Sequence, residues 1–179
     1  MNGRLWTGAG LVLATGAGAV LAARAAGRRL PVEHVSEGGL ELAQPPGAVW
    51  EVLTDTGLHP AWRRGLSHVE PLPAAADGRP RWREYGRHGY TTYEVLESAA
   101  PHLLVTGIAD RDLPYGGTWT YRLTPAGAGC TLTVTERGEV YQPLYRAVSH
   151  YVTGEGSAVH RFLDDLAHRM AGPPDTPEI

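Results

Sequence analysis

A carboxylate on the apolar side of a helix is the residue of this chain most in need of a chemical explanation. Between Gln142 and Met170, the positions Leu144, Val148, Val152, Val159, Phe162 and Leu166 recur at helical spacing, and Glu155 falls on the same side. Buried there, its carboxyl must be paired or protonated, and desolvation would raise its pKa. Such a group can anchor a ligand or move a proton, with Tyr121 or Tyr151 as its hydrogen-bond partner. Gly154 and Gly156 flank it and open the opposite outcome, a broken helix with Glu155 in solvent. Glu136 is the second candidate acid, brought inward by strand parity.

Other chemistries are excluded more firmly. All 16 basic residues are Arg, so there is no lysine for a Schiff base or a phosphate loop. The single cysteine, Cys130, can form neither an internal disulfide nor a multi-thiolate metal site. The 8 histidines include no HExxH or other compact ligand spacing, so no metal and no cofactor is expected; His59, beside Pro60 and Trp62, reads as a turn residue. No GxSxG motif is present. A net charge of -3 and a pI near 6.2, with no basic run interleaved with aromatics, give no footprint for nucleic acid.

The elements that would carry these residues follow from periodicity. GGLELAQPP alternates and stops at two prolines, suiting a strand that runs into a helix. AVWEVLTDT then sets Val49, Val52 and Leu53 on one helical face, and a short helix starts near Pro60 and includes Trp62. Six short runs separated by Gly, Pro and Asp follow: LSHVEPLP, RPRWREYGR, GYTTYEVLES, HLLVTGIAD, GGTWTYRLTP and CTLTVTERGEV. With the first run they make seven strands of half-buried antiparallel type. A long helix closes the domain. Parity points Trp119, Tyr121 and Leu123 inward, with Leu132 and Val134 on the next strand and Tyr93 and Val95 on an earlier one. Each can be plain core. Together with Tyr85, and with Val148, Val152, Glu155 and Val159 of the helix, they can line an apolar pocket supplied with a few polar tips.

At the N-terminus, Leu5 to Ala23 runs 19 residues without a charge, long enough to cross a bilayer. Arg4 precedes it, Arg24, Arg28 and Arg29 follow, and Trp6 stands where an interfacial aromatic is useful. A retained single-pass anchor is expected, with the domain on the cytoplasmic side. A cleaved signal peptide and a secreted domain is the alternative, given the small residues near Ala23 and Ala25. The chain thus divides into an anchor with its basic flank (1–29), a folded domain (30–171) and a loose tail (172–179).

PPGAVWEVLTDTGLHPAWRRGLSHVE resembles the opening motif of the SRPBCC superfamily of START-like and polyketide cyclase/dehydratase-like proteins. GGTWTYRLTPAGAGCTLTVTERGEV is similar to its last hairpin, and VHRFLDDLAHRM to the end of its long helix. The resemblance implies an α+β helix-grip fold, a curved seven-stranded antiparallel sheet around the C-terminal helix with a cavity between them. It also implies three functional options for the tethered domain. These are binding of a small hydrophobic molecule or lipid, a cyclase/dehydratase-like lyase or isomerase using Glu155, Glu136 or a tyrosine, or a protein-interaction domain without a ligand.

Overall fold

The structure is a computed structural model that describes residues 7–87, 89–153 and 157–172. Helix α1 (Thr7–Arg29) leads into strand β1 (Glu33–Leu42). Helix α2 (Pro46–Thr54) starts at a proline, whose missing N–H costs nothing in a first turn, and a short 3-10 turn joins it to α3 (His59–Trp62). Six strands follow: β2 (Leu66–Leu72), β3 (Arg81–Gly86), β4 (Gly89–Ala99), β5 (Leu103–Ile108), β6 (Tyr115–Ala126) and β7 (Gly129–Val140). They form one seven-stranded antiparallel sheet in the order β1-β7-β6-β5-β4-β3-β2. The chain closes with α4 (Pro143–Val148) and α5 (Ser157–Met170).

The core lies between the sheet and α5. Val159, Phe162, Leu163 and Leu166 supply the buried stripe of α5, and they meet Leu132, Val134, Leu123, Val49 and Leu53. Gly38 of β1 lets the helix sit this close, because a Cβ there would stand 2.6 Å from Leu163 Cδ1. The end of α1 is tied to α4 in a similar way. A Cβ on Gly27 would lie 1.7 Å from the Pro143 carbonyl oxygen, so only glycine permits the approach. Arg146 then secures it, its guanidinium donating to the carbonyls of Gly27 (2.8 Å), Val140 (2.8 Å) and Tyr141 (3.1 Å).

One expectation is corrected here. The C-terminal helix is not continuous from Gln142 to Met170: α4 passes into a π turn at Ser149–Thr153 before α5 begins. That turn winds more loosely than 3.6 residues per turn, so apolar spacing counted across it does not hold one face. Val148 and Val152 are consequently exposed, Val152 at 76%. Among the described residues no helix is long and apolar enough to cross a membrane. Leu5 and Trp6 of the uncharged stretch lie outside those residues.

Candidate functional site

The inner face of the sheet carries an ion pair that the apolar pattern gave no reason to expect. On β3 the alternation turns Trp82 and Glu84 inward, where Glu84 is 6% exposed. Its Oε1 accepts from Arg63 Nη1 at 2.5 Å and from Trp82 Nε1 at 3.2 Å, and His59 Nδ1 lies 3.4 Å away. The other ring nitrogen of His59 donates to the Leu53 carbonyl at 3.2 Å, which places a proton on Nε2. Nδ1 then accepts from Arg63, 3.3 Å away, when the ring is neutral, or donates to Glu84 when it is charged. Burial works against ionisation of Glu84, but the bond to His59, the Arg63 charge and the Trp82 donor outweigh it and hold the carboxyl below its usual range.

Arg63 stands between two spaces. A small inner chamber of about 40 Å³ lies over the Glu84 cluster, lined also by Thr106, Tyr93 and Tyr121. Burial, with the nearby Glu84 charge adding to it, pushes both tyrosine phenols well above their usual pKa and keeps them protonated. On the other side a wider, open cleft of about 410 Å³ runs between β6, β7 and α5. Its walls include Trp119, Phe162, Tyr93 and Ile108, and its rim carries His34, Arg64, Glu136, Arg137, Arg161 and Asp165. Asp165 is buried and holds Arg64, accepting from its side-chain Nε and from its backbone N–H at 2.8 Å, which fastens α5 to the end of α3. Glu136 pairs across the sheet with Trp119. Burial lifts the Glu136 carboxyl above its ordinary value, only partly countered by His34 and the neighbouring Trp119 indole.

Of the positions expected to line a pocket, Tyr93 and Trp119 border both spaces, Tyr121 the inner one and Glu136 the outer one. Leu123, Leu132, Val134 and Val159 are packed into the core and reach neither space. Val95, half-buried beside a bulge in β4, also reaches neither. Tyr85 is on the opposite side of β3 from Trp82 and Glu84, with its hydroxyl on Glu70 at 2.7 Å. Tyr85 therefore does not line the pocket: Trp82 and Glu84 occupy the inward positions of β3, so the neighbouring Tyr85 faces out. Val148 and Val152 are turned to solvent, as described above. Glu155 lies outside the described residues. The residues missed were Arg63, Glu84, Phe162 and Asp165, together with His59, which is no mere turn residue. No group of acids, histidines and cysteine among the described residues could hold a metal ion.

The comparisons agree with this architecture. A family model described as polyketide cyclase / dehydrase and lipid transport matches residues 36–171. None of the curated proteins matches the chain in sequence. A START superfamily protein from Mycobacterium smegmatis superposes with a TM-score of 0.63 at 18% identity, covering 77% of this chain and 97% of its own. Truncated norcoclaurine synthase from Thalictrum flavum gives 0.60 at 16% identity, with 79% and 96% covered. The Zhui aromatase/cyclase from a Streptomyces species gives 0.58 at 16%, with 78% and 94% covered. At these identities the likeness is one of fold.

Proposed function

Because the chain belongs to the polyketide cyclase / dehydrase and lipid transport family, we propose that it is a binding domain for a small, largely apolar molecule bearing oxygen functions, held in the cleft between sheet and α5. One observation carries this reading. The cleft of about 410 Å³ falls within the range of roughly 300 to 1,000 Å³ usual for small-ligand sites, and it pairs aromatic walls with a fixed cation. Trp119, Tyr93 and Phe162 offer ring faces and edges to an apolar body. The Arg63 guanidinium, oriented by Glu84, offers donors to a carbonyl or hydroxyl oxygen. The polar rim favours an amphipathic ligand over a bare hydrocarbon chain. In the same reading, residues 5–23 tether the domain to a membrane with Arg24, Arg28 and Arg29 on its cytoplasmic side; the uncharged length and flanking charges support this. Native mass spectrometry of the full chain, followed by denaturing extraction, tests the binding: one small molecule per chain is expected, and a chain carrying none across several expression hosts would refute it.

A second reading, a cyclase/dehydratase-like enzyme, is favoured by Glu136. Its carboxyl borders the cleft beside Trp119, and burial raises it above the ordinary carboxyl value, as suits a group that exchanges protons with a bound molecule. Glu136→Gln separates the two. Binding and turnover would part company in an enzyme, whereas a pure binding domain would retain its ligand unchanged in structure.

A further inference from the structure

We infer that Phe162 is a removable partition that sets the size of molecule this domain accepts, and that the inner chamber behind it is a second subsite for the neutral, polar-tipped end of a longer ring system. The inference rests on the binding role of the cleft and specifies its selectivity. The outer and inner spaces share four lining residues, Arg63, Tyr93, Trp119 and Phe162, which therefore form the wall between them. Three of the four are fixed. Arg63 is held by Glu84 at 2.5 Å, Trp119 sits on β6 paired across the sheet with Glu136 and against the Tyr121 ring (6.2 Å), and Tyr93 sits on β4, stacked against Trp82 with ring centroids 5.7 Å apart.

Phe162, the single phenylalanine of the chain, has no polar tie. It hangs from α5 and is kept in place by edge contacts with Trp62 (5.7 Å), Trp119 (5.8 Å) and Tyr121 (5.5 Å), under the Arg63 guanidinium at 5.5 Å from its centroid. The ring is thus seated by ring and cation contacts alone, and its removal breaks no hydrogen bond.

The chemistry beyond it fixes the class of group admitted. Arg63 and His59 both lie against Glu84, so the chamber offers no unpartnered cation to an anion, while the Thr106 and Tyr121 hydroxyls and the Tyr93 phenol offer donors and acceptors. Bringing a carboxylate beside Glu84 would add like-charge repulsion to desolvation. A neutral hydroxyl on an aromatic ring fits on both counts. With Phe162 in place the chamber of about 40 Å³ is only large enough for about three or four waters, at some 10–15 Å³ of such volume each. A ligand of the native protein therefore stops at the partition.

Three probes test this by calorimetric titration against the full chain in detergent: 2-naphthol, 2-hydroxyanthracene and anthracene-2-carboxylate. The native protein is expected to bind the two-ring probe at least about tenfold more tightly than either three-ring one. Phe162→Ala should improve 2-hydroxyanthracene by about tenfold or more, move 2-naphthol by less than about threefold, and leave the carboxylate behind. Phe162→Leu, a smaller truncation that better preserves the core, should shift the same probe in the same direction by less. If 2-naphthol binds both proteins and neither variant improves the longer phenol, the partition is refuted while the binding role stands. Equal gains for the carboxylate would refute the neutral character of the subsite. If none of the probes binds native protein or variants, the binding role fails and the partition with it.

Discussion

Glu84→Gln probes the buried ion pair at the centre of the domain. Glu84 is 6% exposed and Arg63 22% exposed on their side chains, so most of the pair is out of water. The amide keeps the shape of the carboxylate and can still accept from Trp82, but it leaves the Arg63 charge without a counterion. Breaking a buried pair in this way costs about 3–5 kcal/mol. Since solvent still reaches part of Arg63, the lower end applies, about 3 kcal/mol, a large share of the roughly 5–15 kcal/mol by which domains are stable. Glu70→Gln is the control: its partner Arg83 is 3.7 Å away, both are partly exposed, and the amide can still accept from the Tyr85 hydroxyl, so the loss should be below about 1 kcal/mol. Urea titrations at neutral pH, with unchanged slope, measure both. The pH dependence has a definite sign. Glu84 is depressed in the folded state, so its contribution is complete above the ordinary carboxyl value of 4.5 and is lost as pH falls through the lower, folded value. The native protein should therefore show a steep acid limb that Glu84→Gln flattens. Losses from the Glu84 and Glu70 variants agreeing within experimental error would refute the claim that this pair organises the site.

Other perturbations follow from the same contacts. Trp119→Ala should cost about 3–5 kcal/mol by urea titration, against less than about 1 for Arg122→Ala on the exposed face of the same strand; equal values would invert the facing of β6. Gly38→Ala should cost about 1–3 kcal/mol by pressing a methyl into Leu163 and Val159, and a neutral result would show that α5 does not sit against β1 as closely as described. Arg146→Met should free the end of α1 and speed tryptic cleavage after Arg24, Arg28 and Arg29, whereas an unchanged cleavage rate would mean that the three carbonyl contacts do not hold it.

Strand parity made much of this legible in the sequence, because alternation in a half-buried sheet is a local signal. Trp119, Tyr121, Leu123, Leu132 and Val134 are all turned toward the helix side of the sheet as their spacing implies. The buried acid was harder. Glu84 shares an inward face with Trp82, and its partners His59 and Arg63 come from a helical turn 25 and 21 residues earlier, a contact that no spacing rule encodes. Tyr85 drew attention because it is aromatic, although its neighbours fix it on the outer face. Counting 3.6 residues per turn through the π turn carried Val148 and Val152 to the wrong surface. Phe162 was visible as a core position, but that it divides two spaces depends on four side chains from α3, β4, β6 and α5, which only the assembled fold brings together.

The central claim, that the cleft between sheet and α5 is where a small molecule binds, is tested most directly by the tryptophan indole N–H signals of the full chain, titrated with 2-naphthol. Trp119 borders the cleft, Trp82 borders only the inner chamber, and Trp50 and Trp62 border neither space. The Trp119 signal should move most, Trp82 far less, and Trp50 not at all. Saturable binding that leaves Trp119 unmoved would contradict the assignment of the site.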